Sequence, residues 1–426
     1  MRKAALFLLL GQLQDGHEMP TPRAPVRLAP LPAGEGAPTK AGLDLKVILT
    51  DVDKAPAWKG VLDVLRARGY GEVIPFRGDK LDAPFRRLAK LAPGYVAVVL
   101  RPETLDVNWH NEFLERASRL DDDPFVDFAL GYITGGTPAE AEAFVKGIAE
   151  ADGKELPRTV LSFGPSPQPH GLTKPAPHTR AKGLKQVRFA HAADADDVAA
   201  VIGRVKELGV ILAWGHGYPD GVHEGLKGRD LRKSGLDLHP ALYFSGPCYC
   251  GVPAGWYGFG EGGIRRNVVA PQDSFLLALI AARPTAIFAG LDPDRGETCE
   301  HEFEHLTDTG DPLGLVSKST YDDVVLAYRR PRLGLPRYRA GRPDPHRDIH
   351  DTMIAGGACR ALFGDPAARP LAAVSDDCFA AETRRTEKGL EVTWTGGDNL
   401  GRSWKPVDVY RAEGGWTHRI RLRVDL

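Results

Sequence analysis

The chain reads as an α/β fold, a parallel sheet in three layers with helices on both faces. Apolar runs without alternation recur in LKVILTDVD (45–53), YVAVVLR (95–101), GVILAWGHG (209–217), ALYFSGPCYCG (241–251) and PTAIFAGLDPD (284–294). Such runs mark strands covered on both faces. Helical stretches alternate with them, as βαβ connections require. Three of the strands end in glycine-rich polar turns, the place where sites form at the edge of an open parallel sheet.

In chain order, MRKAALFLLLGQ opens with a basic start and an apolar run from Ala4 to Leu10. It resembles a short signal peptide but lacks an A-x-A cleavage site, and it is too short to span a bilayer. The expected setting leans to the cytoplasm. Residues 20–42 are rich in Pro, Ala and Gly and read as an extended arm. After the first strand come a helical stretch from Trp58 to Arg68, a strand near YGEVIPF, a helix from Leu81 to Leu91 and the strand at 95–101. PFVDFALGYITG (124–135) is a further strand and turn. Thr137 with Pro138 and Glu140 after it marks a helix start. RTVLSFG (158–164) reopens the pattern and leads into a loop loaded with Pro, His and basic residues. ADDVAAVIGRVKEL (195–208) and DSFLLALIAAR (273–283) are helices between the last three strands. Beyond Ala327 the basic, proline-broken YRRPRLGLPRYRAGRPDPHR reads as a solvated loop. LEVTWTGG and the segments after it suggest a small β extension. The expected division is an arm at 1–44, an α/β subdomain at 45–155, a second subdomain at 156–370 and the extension at 371–426.

Of the 426 residues, 42% are hydrophobic and 26% charged, and the formal net charge is −1. That balance argues against a nucleic-acid or membrane-surface binder. The five cysteines are odd in number and form no disulfide framework, so reduced thiols are expected.

The turns after the last three apolar strands carry His216, Cys248, and Asp292 with Asp294. If these strands are neighbours, His216 and Cys248 meet. A thiol beside an imidazole is what nucleophilic catalysis by thiolate requires. Glycines around such a pair free main-chain N–H groups for an oxyanion. On the residues alone, Cys248 and Cys250 read equally well as small buried hydrophobes.

Four segments in order carry a resemblance that goes further: VDFALGYITGGTPAEAEAFV, VILAWGHG, YFSGPCYCG and LFGDPAAR (362–369). Over residues 124–370 the chain resembles the gingipain-type branch of the caspase-fold cysteine peptidases. The resemblance implies a caspase-like (flavodoxin-like) fold of two subdomains followed by a β domain, and a cysteine endopeptidase acting on protein or peptide substrates. It makes His216 the base and Cys248 the nucleophile, with Cys250 a bystander. Gly217 and the N–H of Cys248 then form the oxyanion hole. Gly164 stands where some relatives place a glutamate behind the histidine, which leaves Asp127 as a speculative third member. For the substrate pocket the candidates are Trp214, Gly246, Asp292 and Asp294, with His170 and Lys174 from the basic loop. Basic and acidic loops point to opposite preferences.

One rival motif is HEFEH (301–305), which matches the H-E-x-x-H zinc pattern. Charged Glu300 and Glu304 and the lack of a third ligand downstream count against it. A zinc site at Cys248 and Cys250 lacks a second ligand pair, and Asp121–Asp123 read as an exposed turn rather than a calcium loop. No cofactor is expected. The alternatives to a cysteine peptidase are an inactive binding or regulatory protein on the same fold, and a zinc metallopeptidase.

Overall fold

The structure, a computed structural model, describes residues 44–163, 185–189, 198–371, 379–386 and 389–396, except 79, 122, 155, 158, 223–225, 295–296, 328–332 and 344–355. Its first block runs β1 (Lys46–Thr50), α1 (Lys59–Ala67), β2 (Tyr70–Pro75), α2 (Asp82–Leu91), β3 (Tyr95–Val99), α3 (Val107–Ala117), β4 (Ala129–Ile133) and α4 (Pro138–Ala151). The second runs β5 (Thr159–Phe163), β6 (Lys185–Phe189), α5 (Val198–Arg204) and β7 (Leu208–Ala213). Three two-residue strands follow: β8 (Gly217–Tyr218), β9 (Gly221–Val222) and β10 (Leu226–Lys227). Then come α6 (Gly228–Ser234), β11 (Leu242–Ser245), the hairpin β12 (Gly255–Gly258) and β13 (Arg265–Val268), α7 (Phe275–Ala281), β14 (Ala286–Gly290), α8 (Glu297–Thr309) and α9 (Leu313–Ala327). β15 (Arg360–Phe363) and the hairpin β16 (Phe379–Thr386) and β17 (Gly389–Gly396) complete the described elements.

Ten strands form one sheet in the order β2–β1–β3–β4–β15–β14–β11–β7–β5–β6. Each neighbouring pair is parallel except β14 and β15, which are antiparallel. The parallel sheet expected from the sequence is present, as two parallel blocks of opposite direction joined at one seam. At that seam Gly290, ending β14, faces Arg360, starting β15. Helices α1, α4, α7, α6 and α5 pack in succession, while α2, α3, α9 and α8 form a second group, so helices flank the sheet. β1, β3, β4, β7, β11, β14 and β15 are buried almost throughout because helices cover the faces of the sheet, which is why these runs do not alternate, while the edge strand β2 is partly exposed.

Local chemistry explains the helix starts. Thr137 caps α4 by accepting from the Glu140 N–H at 3.2 Å, with Pro138 at the first position. Asp106 caps α3 and Ser274 caps α7 in the same way. The sequence reading misses α3 because the buried polar residues His110, Asn111 and Glu115 interrupt its apolar face, opposite a half-exposed stripe of Asn108, Glu112 and Arg116.

The basic stretch after Ala327 is a correction. Leu333, Leu335 and Tyr338 are buried, with exposed Arg337 between the last two and exposed Arg339 after them. Its backbone is pinned to α3: Glu115 accepts from the Leu335 N–H, Asn111 donates to the Pro336 carbonyl, and Asn108 both donates to and accepts from Tyr338. Asp121 and Asp123 do form a turn, each accepting from the N–H two residues on. In the G-D-P stretch, buried Asp365 accepts from Arg68 and from the Tyr70 hydroxyl, which ties this turn to the start of β2.

His110 on α3 is fully buried between the Tyr132 hydroxyl at 2.7 Å and the Ala358 carbonyl at 3.0 Å, next to the seam. Burial pushes its pKa down to about 4, outweighing the Ala358 carbonyl, which favours the proton. With the folded pKa depressed below the unfolded one, this histidine's contribution is full above pH 6.5 and is lost as pH falls towards 4. Urea unfolding should therefore show about 2 kcal/mol less stability from this residue at pH 5 than at pH 8. The pH difference should shrink by that amount in His110→Gln.

Candidate active site

Strands β7, β11 and β14 are neighbours in the sheet, and their carboxyl ends bring together the turns singled out by the sequence. β7 ends in Ala213–Trp214–Gly215–His216–Gly217, with Gly215 at φ 110°, and His216 is exposed. β11 ends in Ser245–Gly246–Pro247–Cys248, followed by Tyr249 in the left-handed region at φ 59°. A non-glycine residue there is strained, and such strain is found at functional sites. Cys248 at this turn is partly exposed, whereas Cys250 is fully buried.

The contact between the two turns is tight. A β-carbon at Gly217 would lie 2.6 Å from the Cys248 carbonyl oxygen, 2.6 Å from Pro247 Cβ and 2.8 Å from Cys250 Sγ. Glycine is therefore required at 217 because the His216 loop lies directly on the cysteine turn. Gly251 is excluded from carrying a side chain likewise, since its Cβ would meet the Ala289 and Gly290 carbonyls at 2.9 Å.

The thiol itself is held by the loop after β14. The Asp294 N–H donates to Cys248 Sγ at 3.3 Å, and the Cys248 S–H points to the Asp294 carbonyl at 3.6 Å. Burial pushes the Cys248 pKa above that of an ordinary thiol; the Asp294 N–H works against this rise and the nearby Asp294 carboxylate adds to it. Cys250, pushed up to about 12 by burial, is an inert core thiol.

Several expected pocket residues sit elsewhere. Asp294 turns its carboxylate inward onto Arg360, and both side chains are fully buried. Asp292 is 2% exposed and accepts from the Tyr338 hydroxyl. Neither acid is presented to a substrate. Trp214 packs in the core instead of lining a pocket, and Gly246 is buried with its N–H spent on the Ala213 carbonyl. Asp127 precedes β4, four strand positions from β7, roughly 19 Å at about 4.8 Å per step. It accepts from the Leu120 N–H and is too far away to act on His216. Gly164, His170 and Lys174 lie outside the described residues, as does the rest of the basic loop.

HEFEH does lie on a helix, α8, but its side chains diverge. His301 is exposed, while Glu302 is buried and paired with Arg360 through both carboxylate oxygens. His305 sits between Asp311 at 3.0 Å and Ser319 at 3.2 Å. The residue that a zinc peptidase needs as base is thus committed to the core. Among the described residues no group of three or more His, Cys, Asp or Glu is placed to hold a metal ion.

Beside the His216 loop lies a cleft of about 570 Å³ lined by Tyr218, Pro219, Trp256, Val268 and Val269, with Asp220, Lys227, Arg229 and Asp273 around them. Tyr218, 48% exposed, and Val268, 70% exposed, are the large hydrophobic residues left open among the described residues, and both face this cleft. Trp256 meets Tyr249 edge to face at 4.9 Å, so the cleft wall continues into the apolar cluster under Cys248. Sequence reasoning did not find this cleft, because its apolar residues are scattered over three short elements.

Gly217→Ala puts a methyl group into a backbone carbonyl that cannot yield. Reactivity of Cys248 towards a peptide-based electrophile should fall by more than about 100-fold. Mass-spectrometric labelling rates for wild type and variant check this, with circular dichroism to establish that both fold.

No family model and no curated protein matches the chain. Solved structures similar to it include the complex of Porphyromonas gingivalis RgpB pro- and mature domains, at 12% identity and TM-score 0.49, over 80% of this chain and 83% of that one. The Arg-specific cysteine proteinase gingipain R (RgpB) aligns at 10% identity and TM-score 0.49, over 82% and 83%. A chain described as a protease aligns at 8% and 0.47, over 80% and 82%.

Proposed function

We propose that the chain is a cysteine endopeptidase in which His216 and Cys248 act as a dyad. The observation that carries this reading is the close approach at Gly217, which sets the loop bearing His216 against the turn bearing a partly exposed thiol. A thiol with a raised pKa is protonated at neutral pH, so His216 serves as a general base during attack. It takes the Cys248 proton as sulfur bonds to the scissile carbonyl carbon. The oxyanion is received by the N–H groups of Gly217 and Cys248. Collapse of the tetrahedral species breaks the C–N bond, and His216 returns the proton to the departing amine. Water activated by the same imidazole then hydrolyses the thioester and regenerates the thiol.

The cleft beside Tyr218 supports a preference. Asp220 is paired with Lys227 at 3.2 Å, and Arg229 and Asp273 add one charge of each sign, so the lining is balanced. Exposed Tyr218 and Val268 then favour an uncharged, apolar side chain next to the bond cut, since burying them gains about 25 cal/mol per Å².

Digestion of a denatured proteome by wild type, Cys248→Ala and His216→Ala, with new N-termini read by mass spectrometry, tests both parts. The expected result is a set of cuts sharing an apolar residue at one position, lost in both variants and unaffected by a chelator. Equal termini from wild type and Cys248→Ala would leave the fold a binding role instead.

A further inference from the structure

Arg360 is the largest fully buried side chain among the described residues and opens β15 at the seam of the sheet. Its guanidinium makes contacts in every direction. Nε and Nη2 grip the two Glu302 oxygens at 2.9 and 2.6 Å. Nη1 donates to the Ser245 carbonyl at 2.7 Å and to the Asp294 carboxylate, and Nη2 also reaches the Phe288 carbonyl at 3.3 Å. Ser245 is the last residue of β11, three before Cys248, and Asp294 is the residue whose main chain touches the thiol.

We infer that Arg360, fixed by Glu302, is a positioning residue for the nucleophile: it holds Asp294 by its carboxylate so that the Asp294 N–H is presented to Cys248 Sγ. The inference rests on the reading of Cys248 as nucleophile. Two effects follow from the arrangement. A main-chain N–H aimed at sulfur favours the thiolate over the thiol. The guanidinium also compensates the carboxylate closest to the sulfur, which otherwise opposes ionisation. The inner carboxylate is the hinge of both, because it is held by the buried cation through an ion pair and belongs to the residue whose N–H meets the sulfur. Glu302, matched by the zinc motif, has a role here that needs no metal: its bidentate grip sets the plane in which the Arg360 fork lies.

The test is the pH dependence of Cys248 alkylation by iodoacetamide, mapped by mass spectrometry on the folded protein. Cys250, Cys299 and Cys359 are buried, and the peptide carrying Cys378, which lies outside the described residues, is read separately. Asp294→Asn keeps a group that Arg360 can hold and removes a negative charge, so the alkylation midpoint should fall. Asp294→Glu keeps the charge but its longer arm pushes the main chain off the sulfur. Its midpoint should rise by up to about one unit, leaving about tenfold less thiolate at pH 7. An Asp294→Glu profile that matches wild type overturns the inference, because charge alone then accounts for the site. Glu302→Gln, which touches neither Cys248 nor Asp294, is the second arm should Asp294→Glu not fold. Its midpoint should rise as the fork loosens, and a fall or no change contradicts the inference. Alkylation does not depend on peptide cleavage: midpoints that move as stated in a protein that cuts no peptide sink the peptidase reading and leave the positioning role standing.

Discussion

The rest of the structure depends on one buried cation. Arg360 lies where two parallel blocks of opposite direction meet, and it ties β15 to β14 through the Phe288 carbonyl, to β11 through the Ser245 carbonyl, and to α8 through Glu302. A guanidinium with no water around it is stable only while its partners remain. Loss of one partner from such a cluster costs on the order of 3–5 kcal/mol, because the remaining charge is left uncompensated. Burial pushes the Arg360 pKa down, but Glu302 and Asp294 more than reverse this and keep the proton in place. Around it Tyr338 and Cys359 reach Asp292, and His110 holds the Ala358 carbonyl just before the strand. The seam is thus a polar core inside an apolar sheet, and a polar core of this kind fixes one arrangement among several that hydrophobic packing alone would allow.

The candidate site is the outer face of that seam. Asp292 and Asp294 look in isolation like a pocket for a basic side chain, and their carboxylates turn inward to serve the cluster instead. Their main chain faces outward and takes up Tyr249 and the Cys248 thiol. In the proposed reading a substrate meets the balanced, partly aromatic cleft by Tyr218, and the acids act on the site only through the backbone they anchor.

Much of the fold is legible in the sequence, and for a physical reason. Strands covered on both sides must be uniformly apolar, so 45–53, 95–101, 209–217, 241–251 and 284–294 each announce a strand close to where β1, β3, β7, β11 and β14 lie. The adjacency of His216 and Cys248 follows from strand order, which the sequence suggests without establishing. What is not legible depends on long-range pairing. Arg360 opens a four-residue strand and resembles any surface arginine until Glu302, Asp294 and Ser245 surround it. α3 breaks its apolar face with the buried polar residues His110, Asn111 and Glu115, and the seam's reversal at β15 has no local signature. HEFEH shows the converse: a local motif whose spacing is right and whose side chains the fold sends in different directions.

The most direct test of the central claim is to treat the folded protein with a peptidyl chloromethyl ketone bearing an apolar residue and to locate the adduct by mass spectrometry. The account predicts one adduct per chain, on Cys248, greatly slowed in His216→Ala and absent when the protein is unfolded before treatment. Labelling spread over the other four cysteines, or labelling of Cys248 at the same rate without His216, would contradict it.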